Sequence, residues 1–179
     1  MTSLTAIALL AASSGLAQQF GPENLAPYIP TPQTIVETML DAAQVKPTDV
    51  VYDLGSGDGR IVITAAQKYG ARGVGVEMVP RLCETARRNA KLAGVSDRVS
   101  IVQGSALRID LSPATVVTMY LMTDSNERLR PILEKYHKPG ARVVSNDYPV
   151  HGWNATRLKV VRTGSAEHKV YVYEIGHEK

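Results

Sequence analysis

Between Val50 and Asn146 the chain alternates short β-branched runs with stretches whose apolar residues recur at helical spacing, and this alternation constrains the fold more than any other feature. Candidate strands run from Val50 to Leu54, Gly73 to Glu77, Val99 to Gln103, Thr115 to Leu121 and Ala141 to Asn146. Between them lie candidate helices from Arg60 to Tyr69 and from Pro80 to Ala93. A further one opens at Asp124, where Glu127 completes a capping box and Pro131 is expected to split the helix. Strand, helix and strand in this order read as βαβ units around a parallel sheet, an α/β fold. The rhythm changes at the end. Leu158 to Arg162 and His168 to Ile175 are joined only by Thr163 to Glu167, so short a link that they must form an antiparallel hairpin. At 179 residues the chain is long enough for one domain with a substantial core.

Two segments precede the alternation. Residues 1–26 read as a leader or signal-like extension: Leu4 to Ala12 is an apolar stretch of signal-peptide length, and Gly15-Leu16-Ala17 offers a small-x-small cleavage site before Gln18. It is too short to span a membrane. The domain proper is expected over 27–179. It begins with Tyr28-Ile29-Pro30-Thr31-Pro32, a stiff extended lead-in, and then a helix that Thr31 caps with Pro32 at its first position and that carries Ile35, Val36, Met39, Leu40 and Ala43 on one face.

Asp53-Leu54-Gly55-Ser56-Gly57-Asp58-Gly59 falls between the first strand and the next helix, where ligands meet the carboxyl ends of a parallel sheet. Charge selects the ligand. A pyrophosphate loop reads G-x-G-x-x-G, whereas this one reads G-x-G-x-G with Asp53 before it and Asp58 within it. Like charges about 4 Å apart repel by ~4 kcal/mol at an effective dielectric near 20, comparable to what the loop amides would contribute. A phosphate-free ligand with an ammonium and a sulfonium reverses the sign, and S-adenosylmethionine is such a ligand. Glu77, at the end of the second strand, is placed to accept hydrogen bonds from ribose hydroxyls, or else to serve as an acid near a helix start. Ser105 follows the third strand where an adenine would lie, or makes a turn.

The remaining features exclude more than they assign. Net charge is +3, with 20 Lys and Arg against 17 Asp and Glu, and the basic residues are scattered. Only Arg81, Arg87, Arg88 and Lys91 approach a cluster, and they read as the solvated face of one helix, so there is no strong nucleic-acid signal. Cys83 shares an apolar helix face with Leu82, Ala86 and Ala90, which suits a buried thiol and not a nucleophile. His137, His151, His168 and His177 show no ligand spacing, and no metal is expected. Trp153 suits either a substrate rim or the core.

With these motifs in place the chain resembles the Rossmann-like class I S-adenosylmethionine-dependent methyltransferases. Tyr28 to Pro32, Tyr52 to Arg60, Thr115 to Leu121, Gly140 to Ser145 and Gly152-Trp153 are similar to segments of the small archaeal broad-specificity protein-lysine methyltransferases. Mitochondrial lysine methyltransferases share the opening and glycine motifs. The resemblance implies that Asp53, Gly55, Ser56, Gly57 and Glu77 bind S-adenosyl-L-methionine, that Tyr28 and Thr31 close over its methionine end, and that Tyr120 flanks the methyl group. Ser105 departs from the Asp that many methyltransferases carry there. Asp147 and Tyr148, after the fifth strand, join Tyr120 as candidates to line the acceptor channel, with Asp147 receiving a proton or holding an amine. Leu121-Met122-Thr123-Asp124 stands where an Asn/Asp-Pro-Pro-Tyr clamp for a planar nitrogen would be.

The expected function is therefore methyl transfer to protein lysines. Transfer to a small-molecule nitrogen, sulfur or oxygen, and an exported cofactor-binding protein without turnover, remain as alternatives. Donor supply points to the cytoplasm, against the signal-like N-terminus. Oligomeric state is left open.

Overall fold

The computed structural model describes Glu23, residues 25–136 and residues 138–177. The apolar stretch and cleavage site of the expected leader lie outside the described residues. Its elements are α1 (Gln33–Ala42), β1 (Val50–Leu54), α2 (Arg60–Tyr69), β2 (Arg72–Glu77), α3 (Pro80–Leu92), β3 (Val99–Gln103), β4 (Val116–Met119), α4 (Thr123–Tyr136), β5 (Arg142–Asn146), β6 (Arg157–Thr163) and β7 (Ala166–Glu174). They build a seven-stranded sheet in the order β3-β2-β1-β4-β5-β7-β6. The first five strands are parallel, and β7 inserts antiparallel between β5 and β6. The expected α/β fold with a terminal antiparallel hairpin is the fold observed.

Strand alternation sends neighbouring residues to opposite faces. Val51, Val116, Val144, Val170 and Val172 pack with Ile35, Val36, Met39 and Leu40 of α1. Tyr52, Val117, Val143 and Tyr173 face the other way, onto Leu129 and Leu133 of α4. Each of these leucines, fully buried, contributes about 2–3 kcal/mol. Trp153 belongs to this second layer: its ring meets Tyr173 edge-on at 5.5 Å, and its indole N–H donates to Glu134 at 3.2 Å, so it is a core residue.

Three local expectations are corrected. α1 starts at Gln33 with Pro32 as the capping position and no side-chain cap; the Thr31 carbonyl instead accepts from Arg60 Nη1 at 2.7 Å. α4 starts at Thr123, which puts Asp124 inside the first turn. Pro131 does not split α4, because Leu129 and Leu133 on either side of it are both anchored in the core and hold the helix continuous despite the missing N–H. At the amino ends of the strands, Asp49 accepts from Arg142 Nη2 (2.5 Å), Thr115 Oγ1 (2.7 Å) and the Lys46 amide (2.7 Å), tying β1, β4 and β5 together. The carboxyl ends are left free for a site.

Candidate active site

A cavity of about 400 Å³ opens at those carboxyl ends. Gly55, Ser56 and Gly57 form its floor, Asp53 and Glu77 supply its buried acids, and Tyr28 to Thr31 cross over it. The loop turns on glycines: Gly55, Gly57 and Gly59 all have positive φ. At Gly57 a Cβ would also lie 2.5 Å from the Tyr28 ring, so the lead-in can approach only because that side chain is missing. Arg60 fixes the crossing segment, donating to the Thr31 carbonyl at 2.7 Å and to both Asp58 oxygens at 2.9 and 2.6 Å.

That bidentate pair revises the electrostatic reading of the loop. Burial pushes the Asp58 carboxyl up, but the Arg60 guanidinium more than offsets it and leaves it below the ordinary range. Asp58 is therefore a neutralised latch, and the negative field of the cavity comes from Asp53 and Glu77. Asp53 is buried and accepts from Thr118 Oγ1 at 2.7 Å. Burial raises its pKa to about 7; the Thr118 hydroxyl works against this, and the Glu77 and Asp58 charges add to it. Glu77 accepts from the Gly57 amide (2.9 Å) through Oε2 and from the Val79 amide (2.8 Å) through Oε1. Glu77 thus braces the start of α3, as one expectation for it had it, and also lines the cavity.

S-adenosylmethionine fits these residues. Two buried acids without a buried counter-cation suit a cationic ligand. Ser56 belongs to the cavity floor, while its buried hydroxyl is turned onto Gly75 of β2, where a Cβ would lie 2.5 Å from it. The volume lies in the range of small-molecule and cofactor sites. Ser105 is not brought to the wall; Gly104 and Ala106 line it, while Ser105 Oγ accepts from the Leu107 amide at 3.3 Å in a local turn.

At the other end of the cavity, Tyr120 forms the wall at the tip of β4. Behind it stand the other two residues expected there. The Tyr148 ring is 6.4 Å from that of Tyr120, and the Asp147 carboxylate faces the Tyr120 hydroxyl, whose pKa is raised by burial first and by Asp147 second. Asp147 has φ 61°, a left-handed conformation that Asp tolerates at a cost of about 1 kcal/mol. Its backbone amide donates to the Lys169 carbonyl at 2.7 Å, and its Oδ1 accepts from the Lys169 amide at 2.9 Å. Its Oδ2 lies 2.9 Å from His168 Nδ1. His168 was not singled out by sequence, because it lies 21 residues beyond Asp147 and only the β5–β7 pairing brings the two together. Cys83 is buried, its thiol donating to the Glu77 carbonyl at 3.3 Å, as its helix face implied.

Sheet order, glycine loop and acid-lined cavity together define a class I S-adenosylmethionine-dependent methyltransferase. The chain belongs to the ANTKMT methyltransferase domain family, whose model matches residues 53–157. It is 48% identical over 154 residues to a protein-lysine N-methyltransferase of Saccharolobus islandicus, covering 86% of this chain and 96% of that one. It is 32% identical to the mouse adenine nucleotide translocase lysine N-methyltransferase, over 83% of this chain and 63% of the mouse protein. A crystal structure described as an RNA methyltransferase from Salinibacter ruber in complex with S-adenosyl-L-homocysteine superposes with a TM-score of 0.78 at 49% identity, covering 84% of this chain and 96% of that one.

Proposed function

We propose that the protein methylates lysine side chains of protein substrates. The observation that carries this reading is the Asp147 carboxylate, fixed beside Tyr120 just behind the cavity wall. A carboxylate there attracts an ammonium and repels a phosphodiester, which favours lysine over an RNA strand. The names of the Saccharolobus and mouse relatives support the same acceptor, whereas the Salinibacter protein's description names RNA.

S-adenosylmethionine supplies, when bound, a methyl group made electrophilic by its sulfonium. The protein's residues have the tasks of binding, alignment and desolvation. Asp53 and Glu77 hold the donor's polar groups above the floor of Gly55, Ser56 and Gly57, and Tyr28 and Thr31 close the cavity over it. A lysine ammonium must lose a proton before attack, and burial near positive charge favours that loss. Tyr120 provides the partly buried wall where this happens, with the exposed Tyr148 beside it, and Asp147 orients the amine or takes its proton. Donor supply supports a cytoplasmic site of action and the signal-like N-terminus an exported one, and amino-terminal sequencing of the native chain separates the two.

The deciding experiment incubates the purified protein with methyl-labelled S-adenosylmethionine and cell lysate. Label on lysines of protein bands is expected. Label confined to RNA or to small metabolites replaces the proposed acceptor, and cofactor binding without any transfer leaves only a binding protein.

A further inference from the structure

The imidazole of His168 is unused by the reaction outlined above, yet it is mostly buried, and its Nδ1 meets at 2.9 Å the Asp147 carboxylate, which stands behind the cavity-wall residue Tyr120. We propose that His168 is a positioning residue that switches the charge of the acceptor site: neutral, it leaves Asp147 with a full negative charge for the substrate ammonium; protonated, it cancels that charge. This inference rests on the lysine reading above.

The geometry supports a switch. Asp147 is held on one side by β7 through two backbone hydrogen bonds at Lys169, so its position does not depend on the imidazole alone. His168 bonds the remaining oxygen, which Asn146 Nδ2 also approaches at 3.3 Å. What a proton on His168 changes is therefore the net charge of the pair, with little change in its placement. An imidazole titrates where cellular pH varies.

The surrounding charges do not duplicate this effect. Across β6, His168 stands opposite Val161, with Lys159 and Thr163 on either side. On β7 its neighbours are Glu167, which pairs with Arg162 at 3.6 Å, and Lys169. α1 packs on β7, but its acids Glu37 and Asp41 are engaged by Lys68 Nζ and the Tyr69 hydroxyl, both at 2.7 Å. Among the described residues, Asp147 is the acid in hydrogen-bond contact with the ring.

The test compares wild type, His168→Asn and His168→Ala on a lysine-containing peptide between about pH 5.5 and 7.5, where imidazoles change charge. Asparagine keeps an N–H for Asp147 but cannot become charged. In the wild type KM is expected to fall about tenfold as pH rises, the size of one screened charge contact, and in His168→Asn to stay low and level within about twofold. His168→Ala should also lose the pH slope, with KM above that of His168→Asn at every pH because Asp147 loses an anchor. An unchanged pH slope in His168→Asn overturns the switch. Calorimetric binding of the same peptide in the presence of S-adenosylhomocysteine repeats the titration without turnover. Capture that depends on pH and on His168, without methyl transfer, removes the proposed activity and keeps the switch. Methyl transfer with identical slopes does the reverse, and absence of capture at any pH overturns both.

Discussion

The two ends of the cavity are built in opposite ways. At the donor end, Asp53, Gly55, Ser56, Gly57 and Asp58 come from one continuous turn, and Glu77 from the neighbouring strand tip. At the proposed acceptor end, Tyr120 lines the wall and Asp147, Tyr148 and His168 stand behind it; they come from the ends of β4, β5 and β7, and their closest bond joins residues 21 apart. The donor end is shaped by local backbone geometry and can serve many acceptors unchanged. The acceptor end depends on the pairing of a hairpin, so it can be altered without disturbing donor binding. The two ends should therefore fail separately.

The largest effect is expected at Asp53. Asp53→Ala should weaken S-adenosylmethionine binding more than about 100-fold by calorimetry, from loss of a buried charge-assisted contact. The same acid lowers the stability of the ligand-free protein at high pH. Its folded pKa, raised from 3.8 to about 7, means the folded state holds the proton more tightly than the unfolded chain, so stability falls as pH rises between those values. At ~1.4 kcal/mol per pH unit the loss is on the order of 4 kcal/mol by pH 8. Asp53→Asn should thus melt higher than wild type at pH 8 and show no such advantage near pH 4, as read by thermal denaturation without ligand. Donor binding to the wild type should strengthen, with proton release, as pH rises toward 7.

Asp147→Asn breaks the comparison from the other side. Asparagine also tolerates the left-handed conformation, so the fold should persist, while KM for a lysine peptide rises roughly 10- to 100-fold. Donor affinity should stay within about twofold of wild type, since the carboxylate lies outside the donor's contacts. Equal losses of donor and peptide binding in this variant would show the two ends to be one unit.

Gly57→Ala probes where the lead-in meets the loop. Its Cβ would strike the Tyr28 ring at a residue with φ 55°. About tenfold weaker donor binding is expected, partly restored by adding Tyr28→Ala, because strain of this kind costs about 1–3 kcal/mol. The smallest effect belongs to Arg60→Gln, which unlatches Thr31 from Asp58. A roughly threefold loss of donor affinity, measured by calorimetry, matches a partly exposed ion pair.

Legibility followed the same division. The glycine turn and Glu77 could be read directly, because each acts within a few residues of a strand tip that the alternation had already placed. The charge of the loop was only partly legible. Sequence could count Asp58 as a free acid, but only the folded loop showed Arg60 folding back upon it. Ser105 could be placed after β3, but its hydroxyl turned to its own loop. Pro131 was misjudged because local propensity favours a break, whereas Leu129 and Leu133 supply more packing energy than the missing hydrogen bond removes.

The sequence alone determined the parallel sheet, the closing hairpin, the location of the cavity and its preference for a positively charged nucleoside, because each depends on periodicity, glycine placement or charge within short spans. Only the tertiary structure decided which acids remain unneutralised and which side chains share the acceptor end. Those outcomes depend on contacts between residues brought together by strand order, and no local pattern records that His168 will meet Asp147.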